Sequence, residues 1–247
     1  MVIGQDFRKE RGAAALGLSS RYGASWARGK AAGAISLALS AGVVALGLTY
    51  AGAARAEALD LLAFGDSLTQ GYGLIEQEGL VPQLRAWLAA HGAGDVRVIN
   101  AGVSGDTTAG GKARIDWALT PEVDAMILEL GANDFLRGID PASARANLQA
   151  ILSAAQKAGV AVLLVGMQVP SNYGADYQQE FNAIYPELAQ AYGALYMPSF
   201  FEGLQGEAQM MSYFQPDGLH PTGAGVAKIV EALGPRVLTL LEQAKTD

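Results

Sequence analysis

From residue 59 onward, short apolar runs alternate with segments whose apolar residues recur every third or fourth position. Leu59–Phe64, Val96–Asn100, Ala125–Leu130, Ala161–Val165 and Ala194–Met197 read as strands. The central runs are nearly continuous in apolar character, as strands covered on both faces are. Between them lie helical patterns. Leu80, Leu84 and Leu88 recur every fourth residue, and Gly92 follows as a stop. Asp140-Pro141 reads as an N-cap followed by a proline at the first helical position, opening a segment through Leu148, Ile151 and Leu152 to Gly159. Phe181, Ile184 and Leu188 mark a third helix. Val226, Ile229, Val230, Leu233, Val237 and Leu241 mark the last, which Gly234-Pro235 is expected to kink or split. Strand and helix in alternation predict a parallel five-stranded sheet between two helical layers, a three-layer α/β/α domain.

In such sheets functional groups gather beyond the carboxyl ends of the strands. The first strand runs into Gly65-Asp66-Ser67, the second into Asn100–Asp106, the third into Gly131-Ala132-Asn133-Asp134. All three ends are rich in glycine and short polar residues, and all should meet on one edge.

The tract before residue 57 is different in kind. It carries Arg8, Lys9, Arg11, Arg21, Arg28, Lys30 and Arg55 against Asp6 and Glu10, then an uncharged run from 31 to 54, then Ala54-Arg55-Ala56. Basic region, apolar region and small-x-small site describe a signal peptide over residues 1–56, ahead of a domain over 57–247. Export to the periplasm or beyond follows. The rival is an inner-membrane anchor through residues 31–54, a run long enough to span but rich in Ala and Gly.

The leader holds 7 of the 17 basic and 2 of the 24 acidic residues, leaving 10 and 22 and a formal charge of −12 on the remainder. Such a surface repels phosphate backbones and argues against nucleic acid as a partner. With no cysteine and only two histidines, a metal site has few ligands to draw on, and no metal or cofactor is expected.

Ser67 lies in Gly65-Asp66-Ser67-Leu68. A serine nucleophile needs a base, and only His91 and His220 are available. His91 ends the first helix, where a ring most simply caps carbonyls. His220 lies in Pro216-Asp217-Gly218-Leu219-His220-Pro221, three residues after Asp217. A turn at Gly218 lets that carboxylate fold back onto the ring and fix its tautomer. Taken alone, the turn-former reading of Asp217 is as good as the catalytic one. Oxyanion donors are offered by the Ser67 N–H, the Gly105 N–H and the Asn133 carboxamide, though a lone turn glycine or strand-end cap is the commoner role for either of the last two.

Together these blocks resemble the GDSL, or SGNH, hydrolases. Gly65-Asp66-Ser67-Leu68, Ser104-Gly105-Asp106, Gly131-Ala132-Asn133-Asp134 and Asp217-Gly218-Leu219-His220 stand in that family's order. Leu128–Gly138, Val169–Gly174 and Phe181–Pro186 are similar to its periplasmic acyl-CoA thioesterase, lysophospholipase and arylesterase branch. The resemblance implies a flavodoxin-like sheet, with Ser67 as nucleophile, His220 as base and Asp217 as its orienter. It also implies an oxyanion hole from Ser67, Gly105 and Asn133. A mobile loop near Ser171–Asp176, with Asn172 and Tyr173 contacting substrate, would cover the acyl chain. Gly73-Leu74 and the segment Gly203–Ser212 depart from that branch, so substrate preference does not carry over.

The expected substrate is a small acyl ester or thioester, handled by a monomer without stable membrane insertion. Two alternatives are a polysaccharide O-acetyl esterase and a non-catalytic lipid- or glycan-binding module on the same fold. Sequencing the amino terminus of protein recovered from a periplasmic fraction should give a start at or near Glu57. Full-length chain in the membrane fraction would favour the anchor.

Overall fold

The computed structural model describes residues 58–246. The signal peptide expected over residues 1–56 and its cleavage site lie outside the described residues. The sheet has five parallel strands: β1 Asp60–Gly65, β2 Arg97–Gly102, β3 Val123–Glu129, β4 Ala161–Val165 and β5 Leu195–Met197, in the spatial order β2-β1-β3-β4-β5. The chain moves outward from β1 to β2, then returns to the other side of β1 for β3. That reversal opens a crevice at the carboxyl ends of β1 and its two neighbours. Register brings Gly65 level with Gly102 on one side and with Glu129 on the other.

The helices are α1 Ser67–Gln70, α2 Leu80–Ala90, α3 Thr108–Ala118, α4 Ala132–Leu136, α5 Pro141–Lys157, α6 Ala175–Tyr192 and α7 Gly223–Ala244. Asp140 caps α5 as expected, accepting from Ala142 N–H at 2.7 Å, with Pro141 in the first turn. Leu61, Phe64, Ala125, Leu128, Leu163 and Leu164 are completely buried, as two-sided cover requires. Among the described residues no helix is long and apolar enough to cross a membrane.

Gly234-Pro235 does not split the last helix; α7 runs through both residues. A proline inside a helix costs roughly 3 kcal/mol. Leu233, Val237, Leu240 and Leu241 are buried on either side of it, and each buried aliphatic side chain contributes about 1.5–3 kcal/mol. Packing therefore outweighs the break. The helix α3 escaped the hydrophobic pattern altogether. Its sequence, TAGGKARIDWA, buries Thr108, Gly111 and Ile115 and leaves Trp117 exposed. Its start is fixed locally instead, by the Thr107 hydroxyl accepting from Gly110 N–H at 3.3 Å.

Gly234 is where α7 meets α2. A Cβ placed there would sit 2.5 Å from the Trp87 ring. Gly234→Ala should overpack this contact and cost about 1–3 kcal/mol, lowering the thermal transition by several degrees in a calorimetric scan. An unchanged transition would mean that the ring moves aside freely.

Candidate active site

β1 delivers the chain into a sharp turn. Asp66 is the N-cap of α1, and its Oδ1 accepts from Leu68 N–H at 3.0 Å. Ser67 is therefore the first helical residue, half-buried at the head of the sheet. The turn is left by Gly71, whose φ of 89° closes α1 in the left-handed region.

The loop before α7 brings in the other half of the site. Gly218, at φ 68°, reverses the chain between Asp217 and His220. The Asp217 Oδ1 accepts from the N–H groups of Leu219 at 2.9 Å and His220 at 3.0 Å, while Oδ2 meets His220 Nδ1 at 2.7 Å. These bonds, from the His220 backbone first and its ring second, hold the Asp217 carboxyl down at about 2. It stays a carboxylate wherever the ring is neutral, and so fixes Nδ1 as the protonated nitrogen. His220 Nε2 is left to face Ser67 Oγ at 2.8 Å. Serine, histidine and aspartate thus form one hydrogen-bonded chain. His91 takes no part. Its Nδ1 lies 2.8 Å from the Trp87 carbonyl and its ring stacks on Trp87 at the end of α2, the capping role expected of it.

Gly105 lies in the turn after β2 at φ 83°, a conformation that favours glycine. Among the described residues, neither its N–H nor that of Ser67 has a hydrogen-bond acceptor. Both are therefore free to meet a developing negative charge. Asn133 sits in the first turn of α4, so it is not a strand-end cap. Its Nδ2 donates to Asp66 Oδ2 at 3.0 Å and to the Asp106 carbonyl at 2.9 Å. It joins three of the four motif blocks, a structural duty that the bare list of oxyanion donors did not foresee.

Two further residues escaped sequence reasoning. Gln215 donates through Nε2 to the carbonyls of Tyr72 at 2.8 Å and Pro221 at 3.0 Å, and its own N–H donates to the His220 carbonyl at 2.7 Å. It straps the exit of the serine turn to the histidine loop. Arg114 of α3 donates to Asp106 Oδ2 at 2.6 Å, the Ala101 carbonyl at 2.9 Å and the Gly65 carbonyl at 2.9 Å, with its guanidinium 3.9 Å above the Phe64 ring. It ties the ends of β1 and β2 to the turn that carries Gly105. Because α3 shows no apolar period, nothing in the sequence singled Arg114 out.

Asn172 and Tyr173, expected to contact substrate, line the same cavity as the triad. The expected loop Ser171–Asp176 is a 3-10 turn over Ser171–Tyr173 that passes through Gly174 into α6. Its base is held by Asn182 Oδ1 accepting from Val169 N–H at 2.9 Å and by Gln178 Nε2 donating to the Val169 carbonyl at 2.8 Å. The cavity measures about 660 Å³. Phe135, Met167, Phe201 and Phe214 supply apolar walls, and Gln205 and Met210 enter from the segment Gly203–Ser212. No cluster of histidine, aspartate or glutamate able to hold a metal occurs among the described residues.

The chain is similar to known proteins over most of the described residues. The profile of the GDSL-like Lipase/Acylhydrolase family matches residues 63–228. The chain is 40% identical over 188 residues to Esterase TesA of Pseudomonas aeruginosa, spanning 76% of this chain and 92% of that protein. It is 37% identical over 170 residues to the Escherichia coli protein named Thioesterase 1/protease 1/lysophospholipase L1, covering 68% and 78% respectively. The crystal structure of AlinE4, described as an SGNH-hydrolase family esterase, superposes with a TM-score of 0.61 at 45% identity, over 75% of this chain and 97% of that one.

Asn133→Ala removes a donor from the buried Asp66 carboxylate and from the Asp106 carbonyl. Leaving a buried acceptor unpaired costs about 1–3 kcal/mol. Urea unfolding of Asn133→Ala should show a loss of that size. Wild-type stability would mean that water replaces the carboxamide.

Proposed function

Because the chain belongs to the GDSL-like lipase/acylhydrolase family, we propose that it hydrolyses acyl esters and thioesters through an acyl-enzyme on Ser67. The observation that carries this reading is the hydrogen-bonded chain from Ser67 Oγ through His220 to Asp217, opening into an apolar cavity.

In this reading the ester carbonyl carbon sits over Ser67 Oγ. His220 Nε2 takes the hydroxyl proton as Oγ attacks, and Asp217 stabilises the imidazolium that forms. The oxyanion is received by the N–H groups of Ser67 and Gly105, with the Asn133 carboxamide beside them. His220 then gives its proton to the departing alcohol or thiol, and the acyl group stays on Ser67. A water, deprotonated by the same ring, releases the acid. Tyr72, whose ring lies 4.6 Å from that of His220, closes one side of the base. The relatives' names, esterase and thioesterase/lysophospholipase, support acyl substrates of this kind.

The cavity favours a fatty acyl group over the acetyl group of a decorated polysaccharide. An acetyl group would fill little of a cavity of about 660 Å³, within the size range that encloses larger organic ligands. Asn172 and Tyr173 border the acyl group in this reading. We further propose that residues 1–56 act as a cleaved export signal and that 57–247 act as a monomeric catalytic domain outside the cytoplasm.

Ser67→Ala and His220→Gln should each remove nearly all hydrolysis of p-nitrophenyl esters while leaving the thermal transition close to wild type. His91→Gln should remain near wild-type activity. Loss of activity in His91→Gln with retention in His220→Gln would overturn the choice of base.

Chain length separates the substrate classes. A fully buried methylene contributes about 0.8 kcal/mol, or roughly fourfold in kcat/KM per added carbon at most. The series from p-nitrophenyl acetate to butyrate to decanoate should therefore rise in kcat/KM until the cavity is filled. A maximum at acetate would favour an O-acetyl esterase instead.

A further inference from the structure

The turn that carries Gly105 is anchored at both shoulders and loose in the middle. Val103 N–H donates to the Gly65 carbonyl at 3.0 Å, and Asp106 N–H closes the turn on the Val103 carbonyl at 3.1 Å. The Ser104 hydroxyl donates to Gln70 Oε1 at 2.7 Å, and Arg137 Nη2 donates to the Gly105 carbonyl at 2.8 Å. Asp106 is held through its carbonyl by Asn133 and through its carboxylate by Arg114. The Ser104–Gly105 peptide between these anchors has no such hold. Among the described residues its N–H, the proposed oxyanion donor, has no acceptor, and its carbonyl has no donor.

A closed four-residue turn whose third residue stands at φ 83° is a type II turn. Types I and II differ by half a rotation of the middle peptide, with the flanking residues in place. The flip exchanges the Gly105 N–H for the Ser104 carbonyl. In the first state a donor faces the oxyanion; in the second an acceptor does, and repels it. Because neither end of the peptide is hydrogen-bonded, the flip breaks no bond. What separates the two states is the left-handed region at position 105, open to glycine and costly to a residue with a side chain. We infer that glycine is needed at position 105 to keep the Ser104–Gly105 peptide turned with its N–H toward the oxyanion, and not to leave room for substrate. This rests on the esterase reading above.

Space does not dictate glycine here. A Cβ at position 105 would meet Arg137 Nη2 at 3.6 Å, an ordinary contact with the end of a flexible side chain. Other glycines beside the nucleophile differ. A Cβ at Gly65 would lie 2.1 Å from Thr69 Oγ1, and one at Gly102 would lie 2.3 Å from the Gln70 nitrogen. Packing demands those two glycines; backbone conformation alone demands Gly105. An alanine at 105 is drawn toward the type I state, which presents the Ser104 carbonyl. Asparagine visits the left-handed region more readily than other residues with a side chain, and valine, branched at Cβ, does so least.

Conformation and size therefore predict opposite orders for asparagine and alanine. The test measures kcat and KM on p-nitrophenyl butyrate for wild type, Gly105→Asn, Gly105→Ala and Gly105→Val, each normalised to folded protein. Gly105→Asn should stay within a few-fold of wild type in kcat. Gly105→Ala should lose roughly 5–30-fold, the population penalty of the left-handed region for a residue with a Cβ, and Gly105→Val should lose more. KM should hold within a few-fold throughout, because the oxyanion forms only after binding. Alanine at or above asparagine in kcat would assign the glycine to space and overturn the inference. Wild-type kcat in Gly105→Ala would overturn it equally.

NMR reads the peptide directly. In a type II turn the Ser104 α-hydrogen stands close to the Gly105 N–H; in a type I turn it stands away from it. Cross-relaxation between the two should be strong in wild type and in Gly105→Asn, and weak in Gly105→Ala. A weak signal in wild type, or an equally strong one in Gly105→Ala, would refute the flip. Should Gly105→Ala fail to fold, the wild-type signal and Gly105→Asn carry the test. Near wild-type kcat in Gly105→Asn then supports the inference, and a loss as large as that of Gly105→Val overturns it. Wild-type protein without ester hydrolysis would count against the esterase reading itself. Hydrolysis with the wrong order of variants counts against the Gly105 turn alone.

Discussion

The 2.8 Å contact between His220 Nε2 and Ser67 Oγ joins residues 153 positions apart. Neither residue could hold that distance by its own local structure. Ser67 is placed by β1 and by the Asp66 cap; His220 is placed by the Asp217 turn and by the docking of α7. The contact therefore requires the sheet to fix where β1 ends and α7 to fix where its preceding loop begins. Buried apolar residues on α7, from Val226 to Leu241, supply the second condition. Gln215 removes the remaining slack by hydrogen-bonding both sides at once.

Around that contact the site is built as a set of carboxylates with different environments. Asp217 is half-exposed and hydrogen-bonded by two backbone N–H groups, so it stays ionised. Asp66 is fully buried with one donor on each oxygen, and Glu129 is fully buried with two donors on Oε2 and none on Oε1. Two buried carboxyls thus lie side by side directly behind the nucleophile. A site of this kind exchanges stability for alignment: Asp66 costs desolvation energy but fixes Asn133.

The departures from expectation have local causes. Proline normally kinks or breaks a helix, and a kink or split was the expectation at Gly234-Pro235. The buried side chains flanking it reversed the outcome, because tertiary packing is worth more than one missing hydrogen bond. The unnoticed α3 is the converse case. Its glycines and charges hide any period, and its helix is set by a cap and by Asp134 accepting from the Thr108 N–H and hydroxyl at 2.8 and 2.6 Å. Arg114 could be recognised as a brace only once the ends of β1 and β2 were known to be adjacent.

The sequence by itself determined the alternation of strands and helices, the strand ends where chemistry gathers, and the identity of Ser67, Gly105, Asn133, Asp217 and His220 as the candidate set. These are local properties: period, turn chemistry and residue type are each legible within a few positions. Only the tertiary structure decided that His220 comes within 2.8 Å of Ser67, that Asn133 is tied to both Asp66 and Asp106, and that Gly203–Ser212 contributes to the cavity wall. Those facts depend on which distant segments are brought together. That in turn is set by the order of strands in the sheet and by the burial of helix faces against it, which no local stretch of chain encodes.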